Sequence, residues 1–150
     1  MRILIDADGC PVVDLTIALA VEYGAECLLL CDTSHQFEKP GAATLTFSKG
    51  ADSVDFALVN LLRPGDLVIT QDYGLAAMCL ARRGRVLHQD GMEYTDGNID
   101  GLLSARHTAR KIRSGGGRLK GPARRTAAQD ADFARALRGV LADMTGEAES

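Results

Sequence analysis

An α/β fold, with a parallel β-sheet covered by helices on both faces, is what this sequence predicts. Two observations lead there. The runs Ile3-Leu4-Ile5, Cys27-Leu28-Leu29-Leu30-Cys31 and Leu67-Val68-Ile69 are apolar throughout and lack the alternation of a half-solvated strand. Segments with helical periodicity separate them, which is the order of a βαβ chain. The length of 150 residues, with 46% hydrophobic and 25% charged, suits a single domain with one core, expected to span 1–150.

The elements follow in order. The strand Ile3–Ile5 runs into Asp6. Pro11 opens a helix in which Val12, Val13, Leu15, Thr16, Leu19, Ala20 and Tyr23 recur at helical spacing, and Gly24 stops it. Cys27–Cys31 is the second strand. Pro40-Gly41 marks a turn before a third, Thr44–Phe47. Ser53–Leu62 reads as a helix with Val54, Ala57, Leu58 and Leu61 on one face, ended by Pro64-Gly65. Leu67–Thr70 is the fourth strand, Leu75–Arg82 the next helix, and Gly84 leads into Val86-Leu87. Beyond this the character changes. Asn98–Arg113 reads as a basic helix, Ser114–Gly117 and Gly121-Pro122 frame a loop, and Ala127–Met144 is an amphipathic helix. These C-terminal helices are expected over about 98–144, with the tail from Thr145 frayed.

Composition excludes several classes. No apolar run approaches the roughly 18 residues of a membrane span. The first apolar stretch breaks at Asp6, too short for a signal peptide, so a cytoplasmic protein is expected. Cys10, Cys27, Cys31 and Cys79 form no CxxC pair, which argues for small buried thiols over zinc or disulfides. The net charge of −3 conceals a split: residues 1–75 carry four basic and eleven acidic groups, residues 76–150 thirteen and nine. Arg106, Arg110, Lys111, Arg113, Arg118, Lys120, Arg124 and Arg125 follow one another with no intervening acid. That division suggests a metal on one side and phosphate on the other.

In parallel sheets ligands bind at the carboxyl ends of strands. Asp6 and Asp8 follow the first strand, Asp72 follows the fourth, and Asp55 can reach them from the intervening helix. Converging carboxylates repel and need protons or a cation. Hard oxygen donors suit magnesium or manganese, which can activate water and support displacement at phosphorus. Plainer roles compete. Asp8 fits a turn or cap, Asp52 is a good N-cap, and Asp14, Asp66 and Asp90 read as solvated. Ser34-His35 follows the second strand and could orient a water or a phosphate, but a lone Ser-His is more often ordinary loop chemistry. The basic stretch, at Arg106, Arg110, Lys111, Arg113, Arg118 and Lys120, fits contact with a phosphate backbone, against the plainer reading of a solvated face. It holds no aromatics for base stacking.

The opening Ile3-Leu4-Ile5-Asp6-Ala7-Asp8-Gly9-Cys10-Pro11-Val12 resembles that of the bacterial YaiI/YqxD family. The likeness continues through Gly50–Asp55, Gly65–Asp72, Gly91–Thr95, Asn98-Ile99, Gly116-Gly117, Gly121-Pro122, Asp130 and Phe133. Members of that family look like relatives of PIN-type nucleases. The resemblance therefore implies a Rossmann-like three-layer α/β/α fold and metal-dependent cutting of RNA. Asp6, Asp55 and Asp72 would match the metal-binding acids, with Asp8 and Asp52 as supports and Ser34 as the polar residue after the second strand. The chain departs from the pattern at Gly9, where the family has Ala. It also has no Glu at the mid-chain acidic position, which Asp55 would fill with shorter reach.

Two other functions share these residues. Asp6-Ala7-Asp8-Gly9 also looks like the opening of the haloacid-dehalogenase-like phosphohydrolases, although the only late lysines are Lys111 and Lys120. The basic stretch alone would suffice for a non-catalytic RNA-binding or ribosome-associated module. The expectation carried forward is a magnesium- or manganese-dependent ribonuclease.

Overall fold

The computed structural model describes residues 1–32, 38–48, 53–105 and 124–146. Strands β1 (Arg2–Asp6), β2 (Glu26–Asp32), β3 (Ala43–Phe47), β4 (Leu67–Ile69), β5 (Arg85–Leu87) and β6 (Glu93–Tyr94) form one sheet in the order β3-β2-β1-β4-β5-β6. All neighbouring pairs are parallel except β5 and β6. The helices are α1 (Val13–Tyr23), α2 (Ser53–Leu61), α3 (Tyr73–Ala81), α4, described over 99–105, and α5 (Ala127–Thr145).

Strand alternation divides the core into two layers. Ile3, Ile5, Leu29, Cys31, Leu67, Ile69 and Leu87 pack against α1 and α5. Leu4, Leu28, Leu30, Val68 and Val86 pack on the other face against α2, α3 and Ile99 of α4. The result is the expected doubly wound, Rossmann-like arrangement in three layers. Helices end where the sequence marks them. Gly24 closes α1 in the left-handed conformation at φ 70°. Thr126 and Gln129 form a reciprocal capping box at the start of α5.

Two expectations are corrected. Helix α3 begins at Tyr73, two residues before Leu75, because Asp72 caps it. Asp66 is not solvated: it is 6% exposed. Arg2 Nε donates to both its carboxylate oxygens (3.3 and 3.2 Å), and Arg2 Nη2 donates to Oδ2 at 2.6 Å. The same guanidinium donates to the Leu61 carbonyl at 2.7 Å, and the Arg63 N–H donates to Asp66 Oδ2 at 2.9 Å. Strand β6 leaves no signal in the sequence, since two residues carry no periodicity.

The Arg2–Asp66 pair closes the amino edge of the sheet, where β1 and β4 begin. Asp66→Ala would strand a buried guanidinium. It should lower unfolding stability by about 3 kcal/mol in urea titrations. An unchanged midpoint would mean the pair is not a structural clasp.

Candidate active site at the carboxyl edge

Strand order reverses between β1 and β4: β2 and β3 lie to one side, β5 and β6 to the other. The crevice outside the carboxyl ends at such a switch point is where open α/β sheets bind ligands. Asp6 closes β1 there. It shares the parity of Leu4, so it belongs to the face of α2 and α3. Thr70, directly after β4, is buried beside it. The Thr70 hydroxyl donates to Asp6 Oδ2 at 2.9 Å and accepts the Asp72 N–H at 3.0 Å. Its backbone N–H donates to the Leu87 carbonyl at 3.2 Å, and its carbonyl accepts the Tyr94 hydroxyl at 3.2 Å. Thr70 is thus fixed on both its main and side chains, and its one hydroxyl proton is directed to Asp6.

The Asp6 carboxyl is pushed up to about 6. Burial is the main cause, the Thr70 hydrogen bond opposes it, and the negative charges of Asp55, Asp72 and Asp8 add to it. The fold therefore gathers all four expected carboxylates into one electrostatic neighbourhood. Asp55 comes from the first turn of α2 and Asp72 from the N-cap of α3, where Oδ1 accepts the Leu75 N–H at 3.1 Å. Asp8 does not cap α1. Its Oδ2 accepts the Asp32 N–H at 2.9 Å and ties the turn after β1 to the end of β2. Gly9 in that turn has φ +72°, a left-handed conformation that favours glycine.

A narrow cleft beside Asp6 is lined by Asp8, Cys10, Thr70, Gln71 and Gln89. Cys27, Cys31 and Cys79 are the expected buried thiols, but Cys10 is only half-buried and edges the cleft. Burial pushes its thiol up to about 11, so it stays protonated at neutral pH and is a poor nucleophile.

The donor set fits a hard divalent cation in kind, because oxygen ligands and mutual repulsion are both present. Among the described residues, no three His, Cys, Asp or Glu side chains form a group that could hold a metal ion. A mode using one or two carboxylates, completed by water and a phosphate oxygen, matches how magnesium is usually held.

Ser34, His35, Asp52 and the cations Arg106, Arg110, Lys111, Arg113, Arg118 and Lys120 lie outside the described residues. Arg125, last of the basic run, is engaged. Its Nη1 donates to Asp90 Oδ1 (2.6 Å), Nε to Asp130 Oδ1 (2.7 Å) and Nη2 to the Gln89 carbonyl (2.7 Å). Asp90 is therefore an ion-pair partner and not the solvated residue expected. Sequence reasoning passed over Thr70, Gln71 and Gln89. Only Thr70 left a signal, as the one polar residue closing an apolar run two positions before an aspartate.

The family model described as "Uncharacterized BCR, YaiI/YqxD family" matches residues 4–143. This chain belongs to that family. The UPF0178 protein of Exiguobacterium sibiricum is 54% identical over 145 residues, covering 97% of this chain and 99% of that protein. The UPF0178 protein of Ruminiclostridium cellulolyticum is 44% identical over 137 residues, covering 91% and 90%. That of Natranaerobius thermophilus is 41% identical over 144 residues, covering 96% and 98%. No solved structure matches the chain significantly. Among the described residues of this family member, no helix is long and apolar enough to cross a membrane.

The raised Asp6 value has a stability consequence of definite sign. The folded state holds this proton more tightly than the unfolded chain, whose carboxyl titrates near 3.8. The contribution of Asp6 to stability is thus greatest below that value and is lost as pH rises through about 6. Asp6→Asn should therefore stabilise the metal-free protein by roughly 1–2 kcal/mol at neutral pH, a figure discounted for partial solvation. The gain should vanish in the acid limb, below the unfolded value. Thermal midpoints of both proteins across that range, in chelator, test this; equal midpoints at neutral pH would refute it.

Proposed function

We propose that this chain is a divalent-cation-dependent ribonuclease, hydrolysing phosphodiester bonds at the Asp6 cluster with magnesium or manganese. The observation that carries this reading is Asp6 itself. Its carboxylate sits half-buried at the switch point, and every charged group that shifts it is another acid. A carboxylate so placed destabilises the fold unless something positive joins it. The Rossmann-like sheet is compatible with the PIN-like organisation that the resemblance implies.

A cation bound there supplies activated water at neutral pH and stabilises displacement at phosphorus. Asp6, with one of Asp8, Asp55 and Asp72, would hold it alongside water and a phosphate oxygen, the other acids adding negative charge, with Asp52 and Ser34 in support. Thr70 orients Asp6 by occupying Oδ2, which leaves Oδ1 to face the ligand. Asp72 keeps the start of α3 at the edge through its cap. Arg106, Arg110, Lys111, Arg113, Arg118 and Lys120 would neutralise backbone phosphates without reading bases.

Labelled single-stranded RNA should be cut in manganese and spared in chelator. Asp6→Asn should slow cutting by roughly two orders of magnitude or more while remaining folded. Binding should weaken with salt at a log–log slope of about −4, the value for six contacts to a single strand. Metal binding with no cleavage of RNA, DNA or phosphomonoester would replace this reading with a non-catalytic RNA-binding module.

A further inference from the structure

We infer that His88 is a second phosphate-binding residue beside the site, donating from Nε2–H to the phosphate adjacent to the one held at Asp6. Naming the ligand a nucleic-acid phosphate rests on the ribonuclease reading; the geometry does not. Ile5 pairs with Ile69 and Ile69 with Leu87. The next positions, Asp6, Thr70 and His88, thus form a row across β1, β4 and β5 at the carboxyl edge. They share the parity of Leu4, Val68 and Val86, so the row lies on one face. Two interstrand steps separate the backbones of Asp6 and His88 by about 10 Å. That spacing, with both side chains on one face, suits successive phosphates of an extended strand.

The plainer alternative is a satisfied core histidine, and the hydrogen bonds argue against it. Nδ1 accepts the Asp90 N–H at 3.0 Å, so the neutral ring carries its hydrogen on Nε2. Among the described residues nothing bonds Nε2, and the side chain is 16% exposed. Burial and the Arg125 charge lower the imidazole's affinity for a second proton, against the pull of Asp90. The ring is also held in place. It stands edge-on to Tyr94 at 6.0 Å, and the Tyr94 hydroxyl is fixed on Thr70. The turn that carries it closes through His88 N–H to the Met92 carbonyl (2.8 Å) and Gly91 N–H to the His88 carbonyl (2.9 Å). Arg125 grips the same turn at Gln89 and Asp90. Gly91 presses so closely on α5 that a Cβ would lie 2.9 Å from the Asp132 carbonyl oxygen. A donor immobilised this well loses little freedom on binding.

The test compares a dinucleoside monophosphate, with one phosphate, against a trinucleoside diphosphate, with two, by NMR titration with calcium as the only divalent cation, so that the ligands stay intact while a hard oxygen-bound cation is present. The variants are His88→Gln, whose amide N–H reaches toward the Nε2 position, and His88→Asn, whose amide reaches only toward Nδ1. His88→Asn should bind the two-phosphate ligand roughly tenfold more weakly, as loss of one charge-assisted hydrogen bond requires. His88→Gln should stay near wild type, and all three proteins should bind the one-phosphate ligand alike. Equal loss on both ligands would reduce His88 to a structural role. No loss on either, or no binding of either by wild type, would overturn the subsite. RNA cleavage and its loss in Asp6→Asn are scored separately. Phosphate discrimination without cleavage sinks the ribonuclease reading alone, and cleavage indifferent to His88→Asn sinks the subsite alone.

Discussion

Helices cover both faces of the inner strands, so a charge has no place along their length and can enter only where a strand begins or ends. Polar chemistry is thereby confined to two edges, and the protein treats them differently. At the amino edge Arg2 and Asp66 neutralise each other, with the remaining acceptors and donors filled by Leu61 and Arg63. At the carboxyl edge Asp6 receives a neutral donor, Thr70, and acidic neighbours. The first arrangement is complete within the chain. The second leaves negative charge uncompensated among the groups that act on Asp6, and this asymmetry sets the carboxyl edge apart.

The β5–β6 hairpin links that edge to the rest of the molecule. Its turn contributes Gln89 to the cleft and His88 to the row beside Asp6, while Arg85 pairs with both Glu93 and Asp143. Arg125 joins the same turn to the start of α5. Helix α4 packs on the face of α2 and α3, and α5 packs on the opposite face with α1. The described residues on either side of the basic run therefore belong to opposite layers of the sheet, and the later of them, Arg125, stands next to the cleft. Arg125, at the C-terminal end of this run, is thus tied down beside the candidate site, a relation that composition alone does not contain.

Much of the architecture was legible. Runs such as Cys27–Cys31 are buried on both faces because consecutive residues serve alternate layers, and a continuous apolar run is the direct sign of that. Gly24 marked the end of α1 because its conformational role is local. Asp6 and Asp72 stood out for the same reason: each closes or follows an apolar strand. The misreadings share a different cause. Asp66 and Asp90 looked like solvated residues because their partners lie 64 and 35 positions away. No window of sequence contains both ends of such contacts. Strand β6 escaped for a related reason, since its pairing depends on the turn from His88 to Met92 and not on its own two residues.

The sequence by itself determined the fold class, the order of its elements, the membership of the YaiI/YqxD family and the acidic residues at strand ends, because periodicity, caps and motifs are properties of neighbouring residues. Tertiary structure alone decided which of those acids share a field, that Thr70 holds one oxygen of Asp6, and that His88 lies in the same row. Those facts follow from strand order and register, which bring together residues that the chain keeps tens of positions apart.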